Sequence, residues 1–144
     1  MDHVEYVYTV GMDAADIDDY LRAGSHGVLA LADGDDAYAV PLSYHYDGER
    51  LLLRVSTHDS IGSEKRRYLE TTDTATFVCF AADADASWSI HIRGSVAPWD
   101  GTVDEATLNE WFPPFRLFDE AVEDVEFTLY ELDVGSVVGR RTAD

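Results

Sequence analysis

Lysine is almost missing from this chain. Lys65 is the only one in 144 residues, and the basic residues total 10 against 29 acidic ones, for a formal net charge of −19. A sequence so poor in positive charge has little with which to grip a phosphodiester backbone or an anionic bilayer, so neither nucleic acid nor membrane is expected as a partner. Cysteine is as scarce. A single Cys79 excludes an internal disulfide and a thiolate metal cluster, and its setting in Phe77-Val78-Cys79-Phe80 suits a small buried hydrophobe. No apolar run approaches the roughly 20 residues that cross a bilayer. Met1-Asp2-His3-Val4-Glu5 lacks the basic start and apolar block of a secretory signal, so a soluble, cytoplasmic protein is expected. The five histidines form no His-x-His or His-x-x-x-His pair, and no metal site is expected. There is no Gly-x-Ser-x-Gly, and no catalytic acid, base or nucleophile stands out.

What the chain has in excess is carboxylate, spread along its length in groups such as Asp33, Asp35 and Asp36. Self-repulsion at this density is tolerable where salt shortens the Debye length to about 3 Å, as it does near molar ionic strength. The composition resembles that of proteins from salt-accumulating halophiles, which points to a high-salt cytosol. Hydrophobic residues make up 46% of the sequence and aromatics 12%, enough for one core. A single domain over 1–144, with its core between about 12 and 138, is expected.

Periodicity sets out the elements. Met12 to Arg22 reads as a helix with Asp13 as N-cap, Ile17, Tyr20 and Leu21 on its buried stripe, and Gly24 as its stop. Gly27 to Ala32 reads as a strand closed by Asp33-Gly34-Asp35-Asp36. Next comes a hairpin, Tyr38 to Arg54, folded about Asp47-Gly48. Its first strand divides by parity: Tyr38, Val40, Leu42, Tyr44 and Tyr46 on one face, Ala39, Pro41, Ser43 and His45 on the other. The second face is short, polar and flat. It suits a planar ligand or is an ordinary solvated surface. Ser60 to Thr71 reads as a helix with Ile61, Lys65, Tyr68 and Leu69 in line. Thr74 to Ala81 and Trp88 to Trp99 read as strands, the latter with Ser89, His91, Arg93 and Ser95 on its polar face. Thr102-Val103-Asp104-Glu105 has the form of a capping box opening a third helix, which Pro113-Pro114 ends. Val125 to Val138 supplies a last strand bent at Gly135, and the tail from Arg140 is expected to fray. Six strands and three short helices, with hairpin connections, predict a mainly β (α+β) small antiparallel barrel.

Two regions carry possible chemistry. Ser56 to Arg67 places hydroxyls, Gly62 and then Lys65-Arg66-Arg67 at a helix start, where outward amides, the helix dipole and cationic side chains suit a phosphate monoester. The alternative is a capped surface helix with a solvated basic face. Trp99, Trp111, Phe112, Phe115 and Phe118 form either a lid over a ring system or the packing of the third helix.

In sequence order, Val40-Pro41-Leu42-Ser43-Tyr44, Tyr46-Asp47-Gly48, Leu51-Leu52-Leu53-Arg54, Ser63-Glu64-Lys65 and Trp88-Ser89-Ile90-His91-Ile92-Arg93-Gly94 resemble the pyridoxamine 5′-phosphate oxidase-related family. These are the FMN-binding split barrels, and the likeness is strongest to the nitroimidazole-resistance-like branch. The resemblance spans about Met12 to Val137. It implies a six-stranded antiparallel split β-barrel, a homodimer with FMN at the subunit interface, and an FMN-dependent oxidoreductase that draws on NADH or NADPH. It places Val40, Pro41, Leu42 and Ser43 against the flavin ring and Arg54, Ser56 and Thr57 near the ribityl chain and phosphate. Ser63 and Lys65 would hold the phosphate, and Trp88 and Ser89 would approach the ring, from the partner subunit in one arrangement. The basic residues that true pyridoxamine phosphate oxidases carry on the first hairpin strand are replaced here by Ala39 through Tyr44, which argues against vitamin B6 synthesis. A non-catalytic barrel binding flavin, deazaflavin or haem is the alternative, with His45 or His91 as a haem ligand.

Overall fold

The computed structural model describes residues 9–56, 59–112 and 127–143. In chain order these form β1 (Thr9–Gly11), α1 (Ala14–Ala23), β2 (His26–Asp33), β3 (Asp36–Tyr46), β4 (Leu51–Ser56), α2 (Asp59–Thr71), β5 (Ala75–Ala82), β6 (Ser87–Pro98), α3 (Glu105–Trp111) and β7 (Phe127–Thr142). The strands follow the order β1-β7-β4-β3-β2-β5-β6, and a further β6–β7 pairing joins the last strand back to β7. Six antiparallel strands therefore close a barrel, and β1 lies outside the ring on the end of β7.

Alternation makes the core. Val40, Leu42 and Tyr44 of β3, Leu51, Leu53 and Val55 of β4, Phe77 and Cys79 of β5, and Ile90 and Ile92 of β6 are all buried and pack together. Each fully buried large aliphatic or aromatic side chain contributes about 1.5–3 kcal/mol by leaving water. Cys79 has no exposure, and burial pushes its thiol up to about 11, which leaves it an unreactive packing group. Helix α1 covers one end of the barrel. Asp13 caps it with a full capping box, Leu21 is buried, and the Tyr44 hydroxyl donates to the Leu21 carbonyl at 2.9 Å.

Several expectations need correction. The two-residue turn lies between β2 and β3, where Asp33 pairs with Asp36 and Gly34 adopts φ 63°. The Asp47-Gly48 connection spans four residues, because the last β3–β4 pair is Tyr46 with Leu51. There the Asp47 carboxylate accepts from the amides of Glu49 and Arg50 at 2.9 and 2.7 Å, while Gly48 has φ 97°. These bonds to the ionised carboxylate favour the wider loop. The cap of α3 is Asp104, which accepts from the Thr107 amide at 2.8 Å, and not Thr102. The expected fraying at Arg140 does not occur, since Arg140, Arg141 and Thr142 pair with β1 on one side and Arg140 and Arg141 with β6 on the other. The bend at Gly135 is a bulge: Arg93 faces Ser136 and Gly94 faces Val134, leaving Gly135 between them. Pro113, Pro114, Phe115 and Phe118 lie outside the described residues. Among the described residues, no helix is long and apolar enough to cross a membrane.

Candidate functional site

The barrel opens between β3 and β4. Their pairing runs from the loop as far as Ser43 with Arg54 and ends there. Beyond that point β4 continues along β7, with Val55 opposite Thr128 and Ser56 opposite Phe127. Helix α2 lies along the free part of β3. Tyr68 stacks on Tyr38 with ring centres 4.7 Å apart and planes 9° from parallel, and its hydroxyl donates to the Asp36 carboxylate at 2.7 Å. Helical spacing aligns Lys65 with Tyr68 and Leu69, so all three face inward at exposures of 7%, 3% and 8%. Lys65 therefore turns inward on the same face of α2 as Tyr68 and Leu69.

A lysine almost never sits that deep without a partner. Among the described residues, nothing forms a hydrogen bond or ion pair with Lys65, although the chain carries 29 carboxylates. Burial pushes its ammonium below the ordinary lysine value, and burial does the same to the Arg54 guanidinium on β4. Lys65, turned inward with Tyr68 and Leu69, has no acid partner among the described residues. It would be compensated by an anion from outside.

Ser43 adds to it. Its residue faces outward by parity, yet it retains only 3% exposure. Two steps along the same face, His45 stacks under Trp111 of α3 at 4.5 Å and 7° from parallel, with Phe112 edge-on at 6.4 Å. Leu52, opposite His45, and Phe112 are both buried outside the main core cluster. Helix α3 thus covers the outer wall beside the site. Of the two readings for the aromatic-rich region, Trp111 and Phe112 pack against the outside of the barrel. Burial also lowers the His45 imidazole, despite the opposing fields of Asp47 and Glu110.

The residues singled out from sequence divide into groups. Pro41, Ser43 and Arg54 share the outer face near the opening, with Lys65 on the neighbouring helix. Val40 and Leu42 turn their side chains into the core, so only their backbone borders that face. Trp88 and Ser89, successive on β6, point to opposite sides: Trp88 packs on Tyr20 of α1 at 5.0 Å, while Ser89 stands between Phe80 and Arg140 on the outer surface. β2 and β5 separate both from Ser43 within one chain. Thr57 and the side chains of Ser56 and Ser63 lie outside the described residues. Sequence reasoning passed over His26. It pairs with Ser43, which pairs with Arg54, giving one row across three strands. Counting back from the two-residue turn at Gly34-Asp35 would have found it, because such a turn fixes the register.

A second surface stands apart chemically. The outer rows Pro41–Val28–Val78–His91–Val138, Ala39–Ala30–Thr76–Arg93–Ser136 and Phe80–Ser89–Arg140 contain no Asp or Glu. Phe80 and Val138 are exposed there by 62% and 66%. Among the described residues, no group of three or more His, Cys, Asp or Glu side chains is placed to hold a metal ion.

The comparisons with known proteins agree on the architecture. A FAD-binding protein from Mesorhizobium loti superposes with a TM-score of 0.67 at 15% identity, over 95% of this chain and 98% of that one. A candidate 5-nitroimidazole antibiotic resistance protein from Bacteroides thetaiotaomicron gives 0.60 at 15% identity, over 100% and 99%. A heme-binding protein from Mycobacterium smegmatis gives 0.57 at 21% identity, over 89% of this chain and 54% of that one. At these identities the likeness is one of fold. No curated protein matches the sequence. The family model described as pyridoxamine 5′-phosphate oxidase matches residues 13–141, and the chain belongs to that family.

Proposed function

We propose that this protein is an FMN-dependent oxidoreductase that works as a homodimer in a high-salt cytoplasm. The observation that carries the reading is Lys65: buried, cationic, and paired with no described acid in a chain dominated by acids. A phosphate monoester would supply the missing counter-charge, and Arg54 and the first turn of α2 would share it. Ser63, Ser56 and Thr57 belong to the same segment and complete the proposed phosphate shell. Pro41 and Ser43 offer a small, flat surface on the outer wall against which a planar ring can rest. When bound, the flavin would supply two-electron redox chemistry between a nicotinamide donor, NADH or NADPH, and a small organic acceptor. The protein's part is to bind, to orient through the backbone of Val40 to Ser43, and to exclude water through the α3 cover.

The carboxylate-free surface supports the dimer. In a chain with this charge, two copies meet at least cost where neither presents acids, and exposed Phe80 and Val138 provide apolar area for such a contact. Trp88 and Ser89, remote from Ser43 within one chain, would then approach the ring from the second copy. The relatives named for FAD and for nitroimidazole resistance are consistent with a flavin, and the heme-binding one keeps haem as the rival ligand.

Purified protein in molar KCl is titrated in turn with FMN, FAD, a deazaflavin and haem, and NADH or NADPH is then added under argon. FMN binding followed by bleaching of its visible band supports the proposal. A Soret band with haem and no flavin response replaces it with haem binding. Flavin bound but not reduced by either nicotinamide leaves a carrier and removes the proposed donors.

A further inference from the structure

We infer that the pocket between α1 and the β5–β6 turn binds a small organic cation with a methylated ammonium head, against the paired rings of Tyr20 and Trp88. The inference stands apart from the proposed anion site, since β2 and β5 separate Trp88 from Ser43. The pocket has a volume of about 490 Å³, within the range of roughly 300–1,000 Å³ in which small-molecule sites fall. Tyr20 of α1 and Trp88 of β6 form its aromatic wall, both half-buried, with ring centres 5.0 Å apart and planes tilted by 42°. Alternation explains why they meet. Trp88 shares the inward parity of Ile90 and Ile92 but stands near the start of β6, where its ring meets α1 instead of the core. The small side chains of Ala81, Ala82 and Ala86 also line the pocket and keep it open.

The charge lining the pocket is of one sign. Asp83 and Asp85 line it, and among the described lining residues none is Lys, Arg or His. The Asp83 carboxylate accepts from the amides of Asp85 and Ala86 at 2.8 Å each, and these bonds hold its carboxyl below the ordinary aspartate value. Arg141, opposite Trp88 in the β6–β7 ladder, stands 3.6 Å from the Asp16 carboxylate of α1 and donates to the Thr142 carbonyl. The wall between β6 and β7 is closed by the Thr142 hydroxyl, which accepts from the Ser87 amide at 2.8 Å. In a chain with 29 acids, two carboxylates alone select nothing. Their combination with two rings does. Aromatic faces attract a weakly hydrated, methylated ammonium, and the carboxylates add a counter-charge at the same pocket.

The test titrates choline chloride into the protein in molar KCl and follows the Trp88 indole and Tyr20 ring signals by NMR. A parallel titration uses the uncharged isostere of choline, with carbon in place of the ammonium nitrogen. The potassium already present competes for the carboxylates and screens them, so charge alone gives no saturable response. The inference expects saturable shifts at both rings with choline, and binding of the isostere weaker by at least about fivefold. Tyr20→Leu should weaken choline by about three- to tenfold, while Tyr20→Phe, which keeps the ring, should bind as wild type does. Asp85→Asn, on an exposed turn, gives a second reading that does not depend on the packing of α1, and should weaken choline by about twofold. Equal binding of choline and its isostere, signals of Trp88 and Tyr20 unmoved by choline, or Tyr20→Leu and Asp85→Asn both binding choline like wild type overturns the inference. FMN takes no part in the assay, so the result is separate from the fate of the anion site.

Discussion

Replacing Lys65 by Met separates a binding lysine from a structural one, because the two roles predict opposite effects. Met keeps the length and apolar stem of lysine, so packing beside Tyr68 and Leu69 is retained while the ammonium is removed. If the ammonium awaits an external anion, the free protein bears its partial desolvation with no ion pair from a described residue. Lys65→Met should then stabilise the ligand-free protein by about 1–2 kcal/mol, seen as a melting-point rise of roughly 3–8 °C for a domain of this size. The same change should weaken FMN by about 1.5–3 kcal/mol, or roughly 10- to 150-fold, the loss of one charge-assisted contact. The pH dependence gives a second signature. The folded value of Lys65 lies below its unfolded value near 10.5, so between the two the unfolded chain binds the extra proton. Wild-type stability therefore gains, relative to the variant, as pH rises through the lowered folded value toward 10.5. Calorimetry and fluorescence titration in molar KCl measure these quantities. A variant that melts lower than wild type and binds FMN equally well would refute the reasoning.

Four further outcomes follow from particular residues. Tyr44→Phe removes the buried bond to the Leu21 carbonyl and should cost about 0.5–1.5 kcal/mol by denaturant unfolding, without changing FMN affinity. Trp111→Ala uncovers His45, so its imidazole, now depressed by burial, should titrate at higher pH by NMR. Val138→Asp places an acid on the carboxylate-free surface and should shift sedimentation of the proposed dimer toward monomer, most strongly as salt is lowered. Gly94→Ala drives a methyl group into the Asp133 carbonyl at the bulge and should lower stability by about 1–3 kcal/mol.

Much of the barrel was legible because parity is a strong signal. The division of β3 into Val40, Leu42 and Tyr44 inside and Pro41 and Ser43 outside needed only alternation, and Asp13 and Gly24 marked α1 by the chemistry of capping. Local signals failed where long-range pairing decides. Arg140 to Thr142 looked like a polar tail, yet β1 and β6 hold it, and neither contact leaves a trace in the tail itself. Asp47-Gly48 suggested a tight turn, but the Asp47 carboxylate serves two amides of a wider loop. The same contrast runs through the site. A lone lysine could be noticed in sequence, whereas its burial midway along α2 depends on how that helix packs against the sheet. His26 was overlooked because it lies 17 positions from Ser43 in sequence, and only the register brings them side by side.

Comparing FMN with riboflavin on the wild-type protein in molar KCl tests the central claim most directly, since the two ligands differ only by the phosphate. The account predicts saturable FMN binding at one flavin per chain, at least tenfold tighter than riboflavin and displaced by inorganic phosphate at high concentration. Equal affinity for the two flavins, or binding of neither, would contradict it.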